Sequence, residues 1–152
     1  MVRTRLAAFA AALLTIAMVA PRPVEAQERD RAKIPDKYKW NLADLYPSDD
    51  AWRAAKEKLV LEIPKLGAFK GTLGSSGARL AEALETGNRV AKDLQRVYVY
   101  ASMMSDQDTR VSKYQGMQQE MQQIAAKFGE QTAYIEPEVL KIDKAVLDKW
   151  VA

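Results

Sequence analysis

The sequence has 152 residues, 48% of them hydrophobic and 28% charged, a composition that suits one globular domain with its own core. It contains no cysteine and no histidine. Disulfides, thiol nucleophiles, Ser-His-Asp triads and zinc sites built from cysteine or histidine are therefore excluded within these residues. Carboxylate, lysine, tyrosine or serine chemistry remains open, as do oxygen-ligated metals and binding or structural roles.

The first 26 residues have the three-part pattern of a secretory signal peptide. Arg3 and Arg5 precede an uncharged run at 6–20, and the small residues Val24 and Ala26 occupy positions −3 and −1 of a cleavage site. As a helix the run spans about 22 Å, too short for a hydrocarbon core of about 30 Å. We therefore expect cleavage near Ala26, a periplasmic or secreted chain, and no membrane attachment afterwards.

The formal net charge of +3 partly belongs to this leader. Cleavage removes three arginines and one glutamate, which lowers the net charge to +1. Bases and aromatics alternate in the single stretch Lys37-Tyr38-Lys39-Trp40, too short to follow a phosphate backbone. We expect no nucleic-acid partner.

Residues 27–47 are predicted to be a flexible lead-in followed by an aromatic strap. The charged stretch 27–33 has few apolar residues and no period. The stretch 34–47 is rich in apolar and aromatic residues of the kind that pack across helices, namely Tyr38, Trp40, Leu42, Leu45 and Tyr46. We place the boundary of the helical region at residue 48.

Residues 48–152 are predicted to be all-α and to form helical hairpins. Ser48 is a favourable N-cap for a helix over 49–63, and Pro64 disfavours its continuation. The glycine-rich stretch 67–77 lacks the Gly-Lys-Ser/Thr ending of a phosphate-binding loop, so we predict a flexible connection there.

Two short helices and two long ones are expected beyond this connection. Ser76 is predicted to cap a helix over 78–85 that Gly87 stops. Apolar residues at helical spacing then predict long helices over 88–104 and 109–135.

Glu136-Pro137 is expected to end the second long helix, and Asp143 to cap a last helix over 144–152. That last helix has no stop signal. We therefore expect the region 48–152 to be truncated at its C-terminus.

Four residues with metal-binding potential are better explained as structural. Asp106 and Asp108 resemble the start of an EF-hand loop, but Arg110 replaces the third acidic ligand and the sixth position lacks glycine. We expect an aspartate to cap the following helix. Met117 and Met121 offer soft sulfur, yet they lie on the apolar stripe and are predicted to be core.

Four tyrosines offer hydroxyl groups, and most are expected to pack with buried rings and wet hydroxyls. Tyr100 differs because it lies beside the main apolar stripe. The four are Tyr98, Tyr100, Tyr114 and Tyr134. We assign no catalytic, cofactor-binding or metal-binding residue to this chain.

Taken in order, several blocks of the sequence resemble oligoendopeptidase F, in particular the start of that protein. The first block is IPDKYKWNLADLYPSDDAW, at 34–52. The later ones are FKGTLGSS at 69–76, LAEALE at 80–85, VYVYASMMSDQDTRVSKYQ at 97–115 and YIEPEVLKID at 134–143. They cover nearly the whole chain after the leader.

The resemblance implies a larger, mostly helical zinc metallopeptidase that hydrolyses short peptides inside a channel. In this family two histidines of an HExxH helix and a further glutamate hold zinc, and the motif glutamate activates water. None of these residues has a counterpart here, because the sequence contains no histidine. The resemblance implies instead an N-terminal region that walls the channel, binds no zinc and is inactive alone.

A different class of function remains open at this point. The chain could be a self-contained periplasmic helical binding or adaptor protein. A truncated region would expose apolar surface that a missing part buries, whereas a finished adaptor would not.

Overall fold

A computed structural model describes residues 30–151, so the predicted leader at 1–26 lies outside the described residues. The chain divides into two units, at 1–40 and 41–152. In the first unit, the described residues form two short 3-10 turns, Arg31–Lys33 and Asp36–Tyr38. Tyr38 is 70% exposed and Trp40 is 53% exposed.

The second unit is helical throughout its regular structure, and the described residues contain no strand. The all-α prediction is therefore confirmed. The described residues of this unit form five α-helices: α1, Asp49–Glu62; α2, Gly77–Gln107; α3, Ser112–Thr132; α4, Ile135–Val139; and α5, Lys144–Val151. Three 3-10 helices accompany them: Leu42–Asp44, Ile63–Phe69 and Leu73–Ser75.

Local capping signals predicted three of the helix starts correctly. The hydroxyl of Ser48 accepts a hydrogen bond from the Ala51 amide, and that of Ser76 accepts one from the Arg79 amide. Asp143 accepts one from the Ala145 amide at the start of α5. In each case a side-chain oxygen satisfies an amide that has no partner within its own helix.

The predicted stop at Gly87 is wrong, because α2 runs uninterrupted through it. Gly87 is buried and lies on one continuous stripe that includes Ala83 and Val90. A glycine inside a helix costs about 1 kcal/mol relative to alanine. Burial of the whole stripe outweighs that cost, so the two helices predicted at 78–85 and 88–104 are one.

The predicted bounds of the next helix are also too wide. Asp108 accepts the Arg110 amide and closes a turn instead of capping the helix, and α3 begins at Ser112. At the other end, α3 stops before the proline and α4 contains it. Pro137 is tolerated because it lies in the first turn of α4, where amides lack helical partners.

The connection predicted to be flexible at 67–77 is built from 3-10 turns that are anchored in the core. Phe69 and Leu73 are buried, and Ala83 of α2 completes their small cluster. The backbone needs glycine at one position, since Gly71 has a φ of 79°. Apolar side chains spaced along the turns therefore fix this segment despite its glycines.

The main core lies where α2 and α3 pack against each other and against α1. A four-residue connection joins α2 to α3, so they form the predicted helical hairpin. Leu42 is buried, and Leu45 and Tyr46 pack on the core, so this half of the predicted strap does contact the helices. The core side chains from the three helices are Trp52, Leu59, Val90, Leu94, Val97, Tyr100, Ala101, Met117, Met121 and Ile124.

Candidate functional site

The most organised group of ionisable side chains lies where α1, α2 and α3 meet. Asp49, at the start of α1, accepts a hydrogen bond of 2.8 Å from the Tyr100 hydroxyl of α2. Its second carboxylate oxygen accepts a hydrogen bond from the Lys113 ammonium of α3. We call these three residues the polar junction.

Aromatic rings enclose the junction on the core side. The Trp52 and Tyr100 rings stack with centroids 6.4 Å apart, and Tyr46 meets Tyr100 edge to face at 5.5 Å. The indole of Trp52 donates a 2.9 Å hydrogen bond to the carbonyl of Val97. The Asp49 side chain is 19% exposed, so its carboxylate is mostly screened from water.

These surroundings change the pKa of each residue in the polar junction. Burial raises the pKa of the Tyr100 hydroxyl, and its hydrogen bond to the Asp49 carboxylate raises it further. Burial alone would raise the pKa of Asp49, but hydrogen bonds from Lys113 and Tyr100 outweigh it and the net pKa is lowered. The hydrogen bond to Asp49 raises the pKa of Lys113.

At neutral pH, then, Tyr100 keeps its proton, Asp49 is ionised and Lys113 is charged. The hydrogen bonds to Asp49 therefore join α1 to both α2 and α3. The sequence carried no local signal for it. Tyr100 and Lys113 lie 51 and 64 positions from Asp49.

The residues whose chemistry could suit a metal ion do not form a metal site in the described part of the chain. Met117 and Met121 are buried in the core, as predicted. Asp106 is exposed at the end of α2. The Asp108 carboxylate accepts hydrogen bonds from the backbone amide and from the guanidinium of Arg110. No group of three or more acidic, histidine or cysteine side chains in the described part of the chain is placed to hold a metal ion.

The other tyrosines follow the expectation only in part. Tyr98 and Tyr114 are half-buried against the core. Tyr134 is half-buried too, and its hydroxyl, expected to be hydrated, donates a 2.7 Å hydrogen bond to the Leu66 carbonyl. Burial raises the pKa of Tyr134, and the nearby Glu138 carboxylate raises it further.

A second carboxylate, on α4, is bound by backbone amides. Glu138 accepts a 2.6 Å hydrogen bond from the Gly71 amide and a longer one, 3.5 Å, from that of Leu73. An open cavity of about 510 Å³ adjoins it, lined in part by Lys141 and Asp143. Because Glu138 already fills the amide site, this contact fastens α4 to the turn before α2.

Between 30 and 151, no helix combines the length and the apolar character needed to cross a bilayer.

Known proteins that resemble the chain are oligopeptidases. It is 37% identical over 122 residues to oligopeptidase PepF of Bacillus subtilis, a match that covers 80% of this chain and 18% of that protein. It is 37% identical over 124 residues to the plasmid oligoendopeptidase F of Lactococcus lactis subsp. cremoris, covering 81% of this chain and 21% of that one. No family model matches the chain, and no solved structure matches it.

A third match, to the group B oligopeptidase PepB of Streptococcus agalactiae, is 36% identical over 116 residues and covers 76% of this chain and 19% of that protein. The chain is therefore related to oligoendopeptidase F over most of its own length. It spans about a fifth of the length of the curated relatives it matches.

Proposed function

We propose that these residues form a non-catalytic part of an exported, zinc-dependent oligopeptidase that hydrolyses short peptides, and that they wall its substrate channel. The observation that carries the proposal is the match itself, at 37% identity over 80% of this chain but only 18% of a protein named as an oligopeptidase. The chemistry of such a protein would then lie in residues that have no counterpart here.

The composition of the chain also supports a zinc site that lies outside these residues. The 152 residues contain no histidine or cysteine. The carboxylates that the structure describes do not gather into a metal-binding group. These residues do not fit a zinc site, so the zinc of the proposed enzyme would be held by other residues.

The helices are suited to a wall. At 1.5 Å per residue, α2 is about 46 Å long, and α3 lies beside it for about 32 Å. The polar junction ties both to α1. The exposed face of α3 carries Gln119, Gln122 and Gln123, whose amides donate and accept hydrogen bonds as a peptide backbone does.

The leader supports export. Its charged start, apolar run and small residues ahead of Ala26 are the features that secretion recognises. Expression of the intact gene followed by N-terminal sequencing of the periplasmic and secreted fractions tests this part. We expect a mature chain that begins near Gln27, and an uncleaved chain in the cytoplasm would contradict export.

Reading the coding sequence beyond Ala152 tests the enzyme itself. We expect the frame to continue and to encode an HExxH motif several hundred residues on. The product of that frame should cleave short peptides and should lose activity with a zinc chelator. A stop codon directly after Ala152 would favour the self-contained binding protein instead.

A further inference from the structure

The seam between α1 and α3 opens into a small apolar groove at the end away from the polar junction. Its floor is formed by Ile63 and Ile124, and Val60 and Pro64 form one side. The volume is about 230 Å³, room for one or two aliphatic side chains. Val60 is 41% exposed, although valine is usually buried.

Charges along the same seam distinguish this end. Toward the junction, Lys113 and Glu120 of α3 pair with Asp49 and Lys56 of α1. At the groove, Lys127 and Glu130 form the rim on the α3 side. Neither takes part in an ion pair within residues 30–151, so one cation and one anion flank an apolar floor.

We propose that this groove seats an apolar segment from the remaining part of the oligopeptidase, with a base and an acid that pair with Glu130 and Lys127. The inference rests on the proposed function, under which about four-fifths of the protein lies outside the matched residues. An apolar floor with a charged rim is the usual anatomy of a protein contact surface. Insertion of aliphatic side chains would remove Val60 from water.

Cysteine labelling tests the proposal cleanly, because these 152 residues contain no native cysteine. Val60→Cys is placed in the groove, and Leu61→Cys is the matched control. Leu61 is the next residue of α1, is 70% exposed and does not line the groove. Each variant is made in the 152-residue chain and in the product of the longer frame, and labelling at the site is followed by peptide mass spectrometry.

In the 152-residue chain we expect both cysteines to be labelled rapidly. In the longer product, labelling at position 60 should slow at least tenfold, while position 61 should change less than twofold. Lys127→Glu should restore rapid labelling at position 60 in the longer product only. Circular dichroism melting of each variant checks that the fold is kept.

Equal labelling rates at position 60 in the two chains would overturn the groove proposal and leave the proposed function standing. Slower labelling at position 61 as well as 60 would also overturn it, since α1 as a whole would then be covered. A stop codon after Ala152 would remove the proposed function, and this inference with it.

Discussion

The two ends of the α1–α3 seam differ in whether their polar side chains find partners among the described residues. At one end Asp49 accepts hydrogen bonds from Tyr100 and Lys113, and the rings of Tyr46 and Trp52 pack against Tyr100. At the other end Val60 remains partly exposed above Ile124, and the nearby charges lack partners among the described residues. The closed end fixes the geometry of three helices, and the open end is free to make a contact.

The largest effect should come from the aromatic cover of the closed end. Trp52→Ala should lower the free energy of unfolding by about 3–5 kcal/mol, because it leaves a cavity beside Tyr100 and removes the indole hydrogen bond to the Val97 carbonyl. Urea denaturation followed by circular dichroism measures the change. Trp40→Ala is the control, since Trp40 is 53% exposed and should change stability by less than about 0.5 kcal/mol. Similar losses for both would refute the assignment of Trp52 to the core.

The next largest loss of stability should come from disturbing a tight contact at the start of α2. A Cβ at Gly77 would lie 2.8 Å from Cγ of Trp150, so Gly77→Ala must displace α5 and should cost about 1–3 kcal/mol. Gly116→Ala is the matched change, because nothing lies within 4 Å of a Cβ there. It should stabilise α3 by about 0.5–1 kcal/mol. Two shifts of the same sign in the urea midpoint would contradict this contact.

The junction itself should matter less than its cover, and its effect should depend on pH. At pH 7, Asp49→Asn should lower stability by about 1–2 kcal/mol, since it weakens charge-assisted hydrogen bonds to Tyr100 and Lys113. The folded-state pKa of Asp49 is lowered, so its stabilisation is complete above the ordinary aspartate pKa of about 3.9 and is lost as pH falls through the folded value.

This dependence is measured from the urea midpoints of wild type and Asp49→Asn at about pH 2 to 7, a range that includes the ordinary pKa of aspartate. The gap between wild type and Asp49→Asn should stay constant down to about pH 5 and close at more acid pH. A gap that persists unchanged in acid would show that the asparagine disturbs packing instead.

The smallest effects should occur at the open end in the 152-residue chain. Val60→Thr and Leu61→Thr should each change stability by less than about 0.5 kcal/mol, because both side chains are substantially exposed. Thermal melts of the two variants provide the comparison. A loss above about 2 kcal/mol for Val60→Thr alone would mean that the groove is already filled by this chain.

What the sequence could predict depends on the distance over which a feature is determined. Ser48, Ser76 and Asp143 act on amides two or three residues away, and their caps were predicted. The helix through Gly87 was missed because its continuity depends on packing against other helices. The polar junction was missed for the same reason, since its members meet only when α1, α2 and α3 assemble.

The same difference between local patterns and long-range contacts decided which other features could be predicted. Burial of Met117 and Met121 was predicted because both lie on an apolar stripe within one helix. The 3-10 turns between α1 and α2 were missed because four glycines lie between 67 and 77, and composition alone favoured flexibility. Contacts of Phe69 and Leu73 with α2 decide that segment.

Hydrolysis of a fluorogenic short peptide tests the central claim most directly, with the purified 152-residue chain and the product of the longer frame compared with and without added zinc. We predict no turnover by the 152-residue chain under either condition and chelator-sensitive turnover by the longer product. Zinc-dependent cleavage by the pure 152-residue chain would contradict the claim that these residues are a non-catalytic part of a peptidase.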